Sequence, residues 1–84
     1  MSEPPLFVPV RERAGALSLR LFRTAAGART AVAFTSPLRV AAVLGAGQQW
    51  VRLSEPALRS LIAGLDVAGI LLDPADTPPH AKVA

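Results

Sequence analysis

Two stretches of the chain carry the same punctuation, and together they constrain the fold more than anything else in it. Phe34-Thr35-Ser36-Pro37-Leu38-Arg39 and Leu53-Ser54-Glu55-Pro56-Ala57-Leu58-Arg59 both run from an apolar strand end through a hydroxyl cap and a proline into a helix. A serine before the first turn accepts from the free amides there, and proline suits the first turn because its missing N–H is not needed. Two successive strand-to-helix units imply parallel strands joined by crossovers.

The rest of the chain is read around that pair. Leu6 to Val10 predicts a short strand whose Pro9 cannot donate to a ladder, so an edge position, or a partner on the other side only, is expected. Arg11 to Ala16, with Gly15, reads as a turn. Leu17-Ser18-Leu19-Arg20-Leu21 alternates apolar and polar and is the clearest strand. Ala25-Ala26-Gly27-Ala28 reads as a turn, so Arg29 to Phe34 pairs back as a hairpin. Leu38 to Leu44 is a short helix stopped by Gly45 and Gly47. Gln48 to Leu53 is a fourth strand. The second helix has Leu58, Leu61, Ile62 and Leu65 at i, i+3, i+4, i+7, with Glu55 at its positive end. Val67 to Leu72 is a fifth strand, apolar on both sides and so expected to be central or covered by the tail; Asp73-Pro74 stops it.

The expected architecture is a two-layer α/β (α+β) sandwich. Five strands form one mixed sheet in the order β-β-β-α-β-α-β, with both helices on one face. Residues 1–5 read as a loose end, 6–74 as a single domain and 75–84 as a flexible Pro-rich tail. Alternation then puts Leu17, Leu19, Leu21, Val32, Phe34, Val51 and Leu53 under the helices. Ser18, Arg20, Phe22, Ala31, Ala33, Trp50 and Arg52 fall on the open face.

Composition narrows the chemistry. With 84 residues there is room for one domain. No cysteine is present, so a disulfide scaffold is excluded and the strongest zinc ligands are missing. The N-terminus lacks the pattern of a secretory signal, and charged residues interrupt every apolar window that could span a membrane. A cytoplasmic, non-membrane protein is expected. The net charge of +3 comes from arginines spread along the chain, a weak footprint for nucleic acid.

No catalytic set emerges. His80 is the single histidine and sits among prolines; the acidic residues form no close pair; Ser36 and Ser54 have no neighbouring base and read as caps. Gly45-Ala46-Gly47 follows a helix and lacks the Lys-Ser/Thr of a phosphate loop. No cofactor, metal or catalytic residue is assigned, and the chain reads as a non-enzyme.

Two surfaces remain as candidates. Arg20, Phe22, Trp50 and Arg52 on the open sheet face suit a protein partner or a second copy, since tryptophan and arginine concentrate at the centres of interfaces. The same arginines and aromatics could stack and hold nucleic acid, a second reading. A third reading places a small anion or amino acid at the paired helix starts, around Thr35, Ser36 and Ser54, with Arg52 beside them.

Four segments also resemble a known family. Phe7-Val8-Pro9-Val10, Ala33-Phe34-Thr35-Ser36-Pro37, Leu53 to Leu58 and Gly69-Ile70-Leu71-Leu72-Asp73-Pro74 resemble the SseB-type N-terminal domain, as found in small actinobacterial proteins. The resemblance spans residues 6 to 74, with Asp73-Pro74 standing where Asn-Pro is frequent in the family. It implies a compact α/β domain acting as an adaptor or regulator, and it brings no catalytic residue or cofactor.

Overall fold

The computed structural model describes residues 4–75. His80 and the Pro-rich tail from residue 76 onward lie outside the described residues, as do residues 1–3. Eight elements run in the order β1 (Leu6–Arg13), β2 (Ala16–Leu19), β3 (Phe22–Arg23), β4 (Arg29–Ala33), α1 (Pro37–Leu44), β5 (Trp50–Leu53), α2 (Glu55–Ile62) and β6 (Ile70–Leu72). Both helices begin as the capping serines dictate. Ser36 Oγ accepts from the Arg39 amide at 3.3 Å and Ser54 Oγ from the Ala57 amide at 3.2 Å. α1 stops at Gly45, whose φ of 101° suits glycine and whose amide donates to the Ala41 carbonyl.

The expected single five-stranded sheet is not what forms. Six strands make two three-stranded sheets, β2-β1-β5 and β3-β4-β6. They meet where the Phe7 and Phe34 amides and carbonyls exchange hydrogen bonds of 2.8 and 2.9 Å. The expected second strand breaks at Arg20–Leu21. Its first half pairs with β1 (Val10 opposite Leu19) and its second with β4 (Phe22 opposite Thr30). The expected turn at Arg11–Ala16 shrinks to two residues, because Arg11 to Arg13 continue β1. Ala14 and Gly15 both take positive φ, 54° and 80°, the geometry that matches a two-residue hairpin to the strand twist.

Pro9 sits in a central strand, not at an edge. The Val10 amide donates toward β5, to Gln49, so the alternate residues Phe7 and Pro9 direct their backbone to the other side. There the Pro9 carbonyl accepts from the Arg20 amide at 3.0 Å, and no donor is required of the proline. The expected fifth strand is shorter than read and lies at an edge. β6 pairs in parallel with β4 alone, leaving Leu71 and Leu72 exposed.

The helices lie on opposite faces, which corrects the two-layer expectation. Along β4, Val32 and Phe34 pack with Phe22 and with Val40 of α1, while Ala33 between them packs with Leu6, Val8 and Leu58 of α2. Neighbouring residues of one strand point to opposite sides, so α1 and α2 cannot share a face. The cause is topological. β4 and β5 each run antiparallel to β1, which lies between them, and β6 joins the far edge of β4. The chain crosses one way from β4 to β5 and back again from β5 to β6. Right-handed crossovers in opposite directions place their helices on opposite faces.

Candidate functional site

The residues expected to form an open patch fall on one side of the sheets, but they do not make a continuous open surface. Phe22 is completely buried among Val32, Phe34 and Val40. Arg20 lies half-buried with its guanidinium 4.8 Å from the centre of the Phe22 ring, and it donates to Gln48 Oε1. Gln48 Nε2 in turn donates to the carbonyls of Val10 and Gln49 at 2.9 and 2.8 Å. Burial, and secondarily the nearby Arg11, lowers the Arg20 pKa from its ordinary value. Arg20 therefore ties β1, β3 and the loop before β5 together. Trp50 stands edge-on to Phe7 with ring centroids 5.0 Å apart, and it and Arg52 stay exposed on β5. The expected continuous aromatic and arginine patch is thus reduced to Trp50 and Arg52.

The expected anion site is not assembled either. Ser36 and Ser54 each cap their own helix. The place beside Thr35 is already taken by a carboxylate of the chain itself. The Thr35 amide donates to Asp73 Oδ1 at 2.8 Å and the Thr35 hydroxyl to Asp73 Oδ2 at 2.7 Å. Asp73 holds this position with a φ of 48°. It stitches the end of β6 to the β4–α1 turn, with Arg39 Nε 3.9 Å away.

A different surface emerges on the α2 side. A groove of about 520 Å³ opens between the sheet and the C-terminal half of α2. It is lined by Val10, Leu19, Val51 and Leu53 from the sheet, by Leu17 of β2, by Leu61 of α2 and by Leu65 in the turn just after that helix. Ser18 and Arg29 are the polar residues among its lining. Leu17 is 58% exposed, Leu61 53% and Leu65 43%, so this apolar surface is largely uncovered. Clustered exposed leucines around a concavity differ from the single apolar residues that any surface carries.

The sequence held two signals for this groove. The 17–19–21 alternation gives a leucine stripe that begins on β2, and the apolar series from Leu58, expected to be helical as far as Leu65, runs past the end of α2 at Ile62, beyond what the sheet can cover. Leu58 reaches the core and is fully buried, and Ile62 packs against it, while Leu61 and Leu65 overhang. Reading the stripe as wholly buried concealed the surplus.

Arg29 is the one cationic residue of the lining. It faces Arg23 directly across the β3–β4 pair, so two guanidinium groups occupy one face. Arg23 donates to the Gly27 carbonyl at 2.8 Å. The Arg29 Nε is buried and has no hydrogen-bond partner. Asp66 lines an adjoining recess with both arginines. The ion pairs formed among the described residues are Arg39–Asp73 and Arg59–Glu55, neither of which engages this recess.

Among the described residues no three metal-ligating side chains cluster, and no helix is long and apolar enough to cross a membrane. Comparisons with protein-family models, with curated proteins and with solved structures give no match.

Proposed function

We propose that this protein is a non-enzymatic interaction or regulatory module that docks its partner through the apolar groove beside α2. The observation that carries the reading is the cluster Leu17, Leu61 and Leu65, three leucines left in solvent around one concavity while equally apolar residues a few positions away are sealed. Burying such a surface against a partner is favourable by roughly 25 cal/mol per Å² of apolar area. The resemblance to the SseB-type N-terminal domain points the same way, to an adaptor or regulator. The nucleic-acid reading is disfavoured because its platform is occupied: Phe22 is under α1, and Arg20 is engaged by Gln48.

The test compares two surface variants by capture from the native host with the tagged full-length chain. Leu61→Glu keeps the fold, abolishes capture of a defined partner, and does so without changing the amide spectrum outside the groove. Trp50→Ala with Arg52→Ala leaves capture intact. The opposite pattern moves docking to the exposed edge of β5 and overturns the groove as the binding surface.

A further inference from the structure

The groove combines an apolar trough with one cation in its lining, and this pairing selects a kind of ligand. We infer that it takes a single apolar chain ending in a carboxylate, with the chain along the leucine-lined trough and the head at Arg29. This deepens the reading that the groove is the binding surface, since it names what enters it.

Four observations converge. The volume of about 520 Å³ lies within the ordinary range for small-ligand sites. The lining is apolar except for Ser18 and Arg29, so a ligand with polar groups along its length would leave them unpaired. An unbranched hydrocarbon chain has no such groups. Arg29 itself lines the groove, and its guanidinium takes part in neither of the ion pairs formed among the described residues, so it is available to an anion there. Arg23, opposite Arg29 in register, adds a second positive charge that an anion would relieve.

The head group follows from the surroundings of Arg29. A guanidinium matches a carboxylate as two parallel hydrogen bonds. Asp66 lines the recess shared with Arg23 and Arg29, so a monoanion fits this balance of charge better than a dianionic phosphate. Ligand and protein partner would then compete for one surface, giving the module a means of regulation.

The experiment uses the full chain with labelled leucine methyl groups, titrated with dodecanoate and separately with dodecanol, both below the concentrations at which they aggregate. Dodecanoate shifts the Leu17, Leu61 and Leu65 methyls saturably and binds at least tenfold more tightly than dodecanol. Arg29→Gln removes that tenfold preference and leaves dodecanol binding unchanged. The wild-type ratio of the two affinities is itself a test, so the outcome does not depend on the variant folding. Equal affinities in the wild type, or a preference that survives Arg29→Gln, overturn the assignment of the head group while leaving the groove as a docking surface. Absence of saturable binding by dodecanoate overturns the inference. If Leu61→Glu still abolishes partner capture in that case, the docking reading stands without it.

Discussion

The two sides of the sheets are sealed to different degrees. Beneath α1, Phe22, Val32, Phe34 and Val40 are all at most 1% exposed, and Phe7, Val43 and Leu44 close the rim. Beneath α2, Leu6, Val8, Ala33 and Leu58 form a comparable centre, but Leu19, Val51, Leu53, Ile62 and Ile70 around it are only partly buried. The helices have equal length, eight residues each, so length does not explain the difference. Side-chain size does. The β4 residues facing α1 include Val32 and Phe34, which fill the space under a short helix. Those facing α2 are Ala31 and Ala33, which let Leu58 descend to the sheet. The surrounding leucines of α2 and β2 are left standing around a groove. One face is sealed and the other keeps apolar surface in solvent.

The sharpest way to break this comparison is to cut into the sealed side. Phe22→Ala or Phe34→Ala removes a fully buried ring and costs about 3–5 kcal/mol, enough to unfold a domain this small. Urea denaturation followed by Trp50 fluorescence reads it. A loss below about 1 kcal/mol would mean that Phe22 belongs to an accessible face after all.

Next in size is a pair on α2. Leu58→Ala costs about 2–5 kcal/mol, whereas Leu61→Ala, three residues away on the overhanging side, stays within about 0.5 kcal/mol. The same denaturation curves decide it. Equal losses would mean that the α2 face is as closed as the α1 face.

Smaller is the stitch that holds the edge of the β4 sheet. Asp73→Ala loses both hydrogen bonds to Thr35 and puts alanine at positive φ, for about 1–2 kcal/mol in all. Asp73→Asn tolerates the backbone and recovers part of that. Amide exchange at Thr35 accelerates in the alanine variant. Unchanged exchange would show that the carboxylate does not hold this turn.

The smallest effect is a gain. Ala14→Gly relieves a non-glycine residue held at φ 54° in the β1–β2 turn and stabilises by about 0.5–1 kcal/mol, the left-handed cost net of chain entropy. It leaves the groove untouched, so it separates changes in stability from changes in binding. A lower midpoint in urea would contradict the strain at Ala14.

Several elements were readable from local chemistry alone. The serine caps, the prolines of the first turns and the glycine stop of α1 all act within a few residues of where they sit, and both helices form where those residues place them. The alternation of β2 and β5 also holds, with Leu17, Leu19, Val51 and Leu53 on one side. The side taken by β4 was not readable. Ala31, Val32, Ala33 and Phe34 are apolar on both faces, so alternation cannot orient the strand. Its orientation comes from the Phe22–Thr30 register, a tertiary contact. The same limit hid the second helix layer. Which way a crossover runs depends on where its strand inserts, and nothing in Val67 to Leu72 announces that β6 returns to the far edge of β4.

For the candidate site, alternation put Arg20, Phe22, Trp50 and Arg52 on one open side, of which Trp50 and Arg52 are the exposed pair. It could not show that α1 shelters Phe22 or that Gln48 engages Arg20. Arg29 was missed because its place in the lining of a groove is a feature of packing and not of sequence.

The most direct test of this account is the response of side chains to a soluble paramagnetic probe in the wild-type chain. Unequal sealing predicts strong broadening of the Leu17, Leu61 and Leu65 methyls, with the Phe22 and Phe34 rings and the Val32 methyls protected. Broadening of Phe22 and Val32 together with protection of Leu61 and Leu65 would contradict it, because the open surface would then lie on the other face.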